Sequence, residues 1–123
     1  MSELVSKVYN FDQENCGFIL NTGEIIILQN LHPDPVNNFS ISDEDILNYG
    51  LENILAFWHS HLTNDTNLST NDYKAFLNFP DHYHIIFCYT DFTVYTVRNN
   101  LVIRSDHASN SEFSSRFATL VSS

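Results

Sequence analysis

Residues 53–58 read Asn-Ile-Leu-Ala-Phe-Trp, and the chain then turns abruptly polar at His59-Ser60-His61. So short and apolar a run predicts a buried strand with the two histidines at its end. Side chains alternate along a strand, so His59 and His61 share one face while Ser60 points to the other. Residues 62–68 are polar apart from their ends and rich in turn formers, which predicts a loop. Ser69 then has the position of a helix N-cap. Asp72 stands three residues on, and Tyr73, Phe76 and Leu77 fall at helical spacing. Ser69 and Asp72 thus project from one helical turn. If that turn closes over the strand end, a carboxylate meets two imidazoles.

Two imidazoles and one carboxylate are a common ligand set for a catalytic zinc, which keeps its fourth position for water. Each half of the pattern has an ordinary structural alternative. A lone His-x-His is frequent at strand ends, and Ser-x-x-Asp is often only a capping box in which each residue satisfies the other's backbone donor. The two halves in this order and at this gap are a far rarer coincidence. Zinc is expected ahead of iron because a closed His/His/Asp site with one water is typical of hydrolases.

A metal-activated water also needs a base, usually a carboxylate that is not itself a ligand. Glu3, Asp12, Glu14, Glu24, Asp34, Asp43, Glu44, Asp45 and Glu52 all lie upstream. Glu14 leads because it immediately precedes the apolar run at 16–20, which predicts a core strand. Asp43, Glu44 and Asp45 suit a helix N-terminus, where the macrodipole favours acids. Glu24 follows Gly23 in a predicted turn, and Glu3 sits on a predicted first helix. The residues alone leave the choice open.

Glu14-x-Cys16-Gly17, Trp58-His59-Ser60-His61 and Ser69-x-x-Asp72 together resemble the JAMM (MPN+, Mov34/JAB) metallopeptidase family, over residues 8–97 or so. The resemblance implies an α+β fold, a single mixed β-sheet flanked by helices in the cytidine deaminase-like JAMM/MPN architecture. It implies that His59, His61 and Asp72 ligate Zn2+, and that Glu14 is the general acid/base. Ser69 corresponds to the serine whose hydroxyl helps hold the tetrahedral intermediate. The implied activity is hydrolysis of an amide or isopeptide bond in a protein or peptide, without a covalent intermediate. Two positions depart from the pattern: Leu62, where many members carry Pro, and Asn15, often a small residue. Residues 30–33 (Asn-Leu-His-Pro) and 39–42 (Phe-Ser-Ile-Ser), followed by Asp45, most resemble the phage tail assembly group. That implies a peptidase associated with a phage or prophage tail. The alternatives are a bacterial deubiquitinase-like peptidase acting on a ubiquitin-like protein, and a non-catalytic tail scaffold with a structural metal.

The remaining composition agrees with one domain over 1–123. No apolar stretch approaches the length that spans a bilayer. No basic segment followed by an apolar one marks a signal peptide, so a cytoplasmic or tail-associated location is expected. Cys16 and Cys88 lie in apolar runs and are expected as buried free thiols rather than a bridge or a nucleophile. The net charge of −10, with five Lys and Arg, argues against nucleic acid and anionic membranes. It favours a basic or neutral protein segment as partner, although solubility alone also accounts for it.

Along the chain, helices are expected over 3–9, 42–49 and 70–78, the second capped by Ser42 and stopped at Gly50. Strands are expected over 16–20 and 24–29 as a hairpin through Asn21-Thr22-Gly23. Further strands are expected over 54–58, 84–89, 93–98 and 101–104, with Asn99-Asn100 as a tight turn. Residues 31–40 form an extended loop with Pro33 and Pro35, and 111–121 a weak helix. Trp58 is expected in the core, His82 and His84 as structural, and His32 and His107 as solvated.

Overall fold

A computed structural model describes residues 3–105; the expected helix over 111–121 and His107 lie outside the described residues. The order is α1 (Glu3–Val8), β1 (Cys16–Leu20), β2 (Ile25–Leu28), α2 (Asp43–Tyr49), β3 (Ile54–Ser60), α3 (Thr70–Leu77), β4 (Tyr83–Phe87), β5 (Phe92–Arg98) and β6 (Leu101–Arg104). A 3-10 turn at Leu51–Asn53, which had no sequence signal, leads into β3. The fold is α+β, with one six-stranded sheet in the order β2-β1-β3-β4-β5-β6. Among the described strands only β3 and β4 pair in parallel, and every other neighbouring pair is antiparallel. A parallel pair needs a crossover, and α3 supplies it.

Local chemistry explains the elements. Gly23 takes φ 95° in the β1–β2 turn, where a side chain would be strained. Ser42 caps α2 by accepting from the Glu44 amide, and Gly50 ends it at φ 83°. Asn99 and Asn100 both take positive φ, as a two-residue type I′ hairpin turn requires. β3 differs from expectation in one useful way: it runs two residues further, through His59 to Ser60.

β3 is central and covered on both faces, which is why its sequence is apolar without alternation. One face packs Ala56 and Trp58 with Val8 of α1, Ile19, Ile85 and Phe87. The other packs Phe57 with Phe18 and with Ile46 of α2. Phe76 of α3 covers Ile86 and Tyr95 on that second face. Trp58 is buried in the core as expected, its Nε1 donating to the Phe18 carbonyl at 3.2 Å. His84 is structural: its ring stacks on Phe76 at 4.4 Å, and Nε2 bonds the Phe79 carbonyl. Burial then holds its pKa down to about 4.

Gly17 is a point of close approach in the sheet, paired with Ile27 on one side and Trp58 on the other. A Cβ there would lie 1.8 Å from the Ile26 carbonyl oxygen, which is backbone and cannot swing away. Gly17→Ala is therefore expected to destabilise the protein by about 3 kcal/mol, read as a lower urea midpoint.

Candidate metal centre

The alternation of β3 sends His59 toward α3 and Ser60 to the other side, as anticipated. His61 follows directly, its amide bonded to the Phe87 carbonyl at the end of β4. The loop beyond is fastened by Thr66, whose hydroxyl bonds Thr93 and whose carbonyl accepts from the Tyr95 hydroxyl at 2.7 Å. Ser69 then opens α3 with a complete capping box. Its Oγ accepts from the Asp72 amide at 3.0 Å, and Asp72 Oδ2 accepts from the Ser69 amide at 3.1 Å. The capping reading and the ligand reading of Ser-x-x-Asp are therefore compatible, since the cap aims the carboxylate.

Asp72 Oδ1 lies 3.0 Å from His59 Nε2, and Oδ2 lies 2.9 Å from His61 Nε2. The two Nε2 atoms are 3.2 Å apart. Tetrahedral zinc with bonds of ~2.0–2.1 Å would set its donors about 3.3 Å apart; the two nitrogens have about that spacing, and the carboxylate of Asp72 straddles them with one oxygen on each. Two imidazole nitrogens facing each other across a carboxylate also call for a cation or a proton between them. Glu14 closes the group, for a carboxylate oxygen of Glu14 and a nitrogen of each histidine lie within 4.8 Å of one another. All four residues are buried, and Glu14 Oε1 has no hydrogen-bond partner. A buried, unpaired carboxylate oxygen costs free energy unless a ligand or water meets it. These side chains fit a divalent cation.

The electrostatics divide the four by role. Burial would raise the Asp72 pKa, but hydrogen bonds from both histidines hold it far below the ordinary carboxylate range. Burial lowers His59, keeping the imidazole neutral as a ligand must be. For His61 burial also lowers the pKa, but the Asp72 hydrogen bond and charge outweigh it, and the shift is upward. Glu14 is raised to about 7, chiefly by burial. A carboxyl that titrates near neutrality is suited to both taking and giving a proton. Burial pushes the Cys16 thiol up to about 12, and both cysteines are buried and free, which leaves Cys16 an inert thiol.

Three features of the site had no clear sequence signal. Ser60, facing away from the metal group, exchanges hydrogen bonds with Asn15, its Oγ accepting the Asn15 amide and its own amide bonding the Asn15 carbonyl. The backbone of Asn15 thus extends the β1–β3 contact right up to Glu14, while its side chain donates to the Val8 carbonyl at 3.0 Å. Phe39 stacks on the His59 ring at 4.1 Å and 17°. Most extensively, buried Asn30 ties down the loop over 31–40. Its Nδ2 donates to the Glu14 and Asn38 carbonyls (2.8 and 2.9 Å), and its Oδ1 accepts from the His32 and Ser40 amides (3.1 and 3.0 Å). The Glu14 amide donates to the Pro35 carbonyl at 2.7 Å, so both backbone groups of Glu14 are held by this loop and its anchor. Asn30→Ala would strand these four partners at once. A loss of at least about 2 kcal/mol is expected, measured by chemical denaturation.

A cavity of about 400 Å3 opens onto the centre, lined by Glu14, Val36, Asn37, His61, Leu62 and Ser69 among others. A second, of about 380 Å3, lies behind His59 between α2, α3 and the sheet and is lined largely by aromatic side chains. The first exposes Glu14 and His61 together.

No family model matches the sequence, and no curated protein does. Among solved structures, the chain is similar to the solution structure of protein DSY2949 from Desulfitobacterium hafniense. The TM-score is 0.64 at 18% identity, covering 83% of this chain and 82% of that one. At that identity the likeness shows the shared α+β fold alone. Among the described residues, no helix is long and apolar enough to cross a membrane.

Proposed function

We propose that this chain is a zinc-dependent metallopeptidase of the JAMM/MPN+ type, hydrolysing an amide or isopeptide bond in a protein with an activated water. The observation that carries the reading is the convergence of His59, His61 and Asp72 within 3.2 Å of one another beside a buried Glu14 with an unpartnered oxygen. His59, His61 and Asp72 would hold the ion. When bound there, zinc lowers the pKa of a water to about 7 and polarises a carbonyl. Glu14 accepts the proton of the attacking water and returns it to the leaving amine, which its pKa of about 7 suits. The Ser69 hydroxyl uses its oxygen to cap α3, so its hydrogen remains free to donate to the developing oxyanion. Asp72 stays ionised and the α3 cap keeps it in place.

The tail-associated setting, in the cytoplasm of an infected cell or on the tail itself, belongs to the same proposal and rests on the sequence likeness at 30–33 and 39–42. The test is direct. Purified protein should carry about one zinc per chain. It should cut either a co-expressed tail protein or a C-terminally extended ubiquitin-like protein, scored by mass spectrometry. Cleavage of the ubiquitin-like substrate alone would assign the processing role instead. Bound zinc with no cleavage of any substrate, and no change in tail maturation on Glu14→Gln, would leave a structural metal and end the enzymatic reading.

A further inference from the structure

Two exposed rings, Phe11 and Tyr89, gather on the half-buried Tyr9, which itself packs against the core. Tyr9, Phe11 and Tyr89 lie with ring centroids 4.8, 5.8 and 5.4 Å apart, inclined to one another by 77°, 67° and 56°. Phe11 is 68% exposed and Tyr89 42%. Both belong to segments that build the metal centre. Phe11 precedes Glu14 by three residues, and Tyr89 follows Phe87, whose carbonyl holds the His61 amide. The Thr90 hydroxyl donates to Asn64 at 3.1 Å, so the turn bearing Tyr89 is tied to the loop whose Thr63 and Asp65 line the cavity. The rings therefore stand at the rim of the same end of the sheet.

The charge around them is mainly negative, the exposed Lys7 of α1 being the nearest basic residue in sequence. The segments forming this end, residues 9–15, 31–38, 61–72 and 88–92, hold Asp12, Glu14, Asp34, Asp65, Asp72 and Asp91 and no Lys or Arg. Asp12 and Asp91, both exposed, are sequence neighbours of the ring-bearing residues. The unpartnered Glu14 Oε1 marks the cavity as a place where a ligand group is missing a partner. Aromatic faces beside carboxylates attract Lys and Arg side chains, through the ring quadrupole and through ordinary Coulomb attraction.

We propose that Tyr9, Phe11 and Tyr89, with Asp12 and Asp91, form a docking platform for a cationic, Lys- or Arg-bearing peptide segment next to the bond presented to Glu14. The placement deepens the peptidase reading and rests on it for the word substrate, but the binding itself does not depend on catalysis.

The test separates the two. Fluorescence anisotropy is measured on the full chain with three labelled peptides of one Leu-Gly framework, flanked by Arg and Lys, by Gln, or by Glu. The protein carries Glu14→Gln so that nothing is cut, and is assayed both with zinc and after chelation. The Arg/Lys peptide should bind at least about tenfold more tightly than the Gln peptide, and the Glu peptide should not bind. Phe11→Ser combined with Tyr89→Ser, which leaves net charge unchanged, should lose most of that preference while the melting temperature holds. A control removing two acids from α2, Asp43→Asn with Glu44→Gln, should leave it in place. Equal binding of the three peptides overturns the platform. So does a preference untouched by the double serine variant, or one lost equally in the α2 control. Binding that survives chelation upholds the platform, and if the wild-type chain with zinc then cleaves none of these peptides and no tail or ubiquitin-like substrate, the peptidase reading fails while the platform stands.

Discussion

With Glu14 replaced by glutamine, zinc-dependent cleavage is expected to fall by about a hundred- to ten-thousandfold while zinc content is unchanged. The amide is close in shape to the carboxylate and leaves the His59–His61–Asp72 triangle intact, but it can neither accept the water proton nor return it. A second readout comes from stability without metal. The folded-state pKa of Glu14, about 7, lies above its ordinary value of 4.5. Between those values the unfolded chain has released the proton and the folded chain still holds it. Glu14 therefore makes metal-free protein progressively less stable as pH rises from about 4.5 to about 7, with no further loss above. Glu14→Gln should flatten that part of the melting temperature profile. If the profile is the same in both proteins, Glu14 is not the buried acid described here. If cleavage persists at the wild-type rate, another group is the base.

Removing Asp72 should have the largest effect on the metal. At free zinc a thousandfold above its dissociation constant, bound ion stabilises the fold by about 4 kcal/mol. For a domain of this size that is a rise in melting temperature on the order of 15 °C. Asp72→Ala is expected to erase this zinc-dependent rise. It also costs about 1 kcal/mol without metal, because the Ser69 amide loses its capping partner. Calorimetry with and without zinc separates the two contributions. A zinc response of full size in Asp72→Ala would mean the ion binds elsewhere, and the centre would have to be redrawn.

The cluster of His59, His61 and Asp72 was legible in the sequence because its geometry is local. Two-residue alternation in β3 and a three-residue helical turn at Ser69 fix three of the four side chains once their elements are recognised. Glu14 was readable only as an acid preceding a strand, since its approach to His61 depends on β1 lying beside β3. The stretch over 31–40 was legible as a loop, but what anchors it was not. Asn30 bonds carbonyls at Glu14 and Asn38 and amides at His32 and Ser40, and no periodicity announces an amide side chain that replaces missing backbone partners. The length of β3 was underestimated for a related reason. Burial by Phe39 and Phe76 lets a polar His59 continue a strand whose apolar pattern had ended.

The imidazole of His59 is stacked against Phe39, and Phe76 meets it edge-on. One cavity borders the centre at Glu14, His61 and Ser69, and the other reaches His59 past Phe39 and Phe76, so these two rings stand in a second route between the centre and bulk solvent. The rate at which a chelator strips the protein consequently reports on movement of the 31–40 loop, and trimming Phe39 to alanine converts a slow exchanger into a fast one.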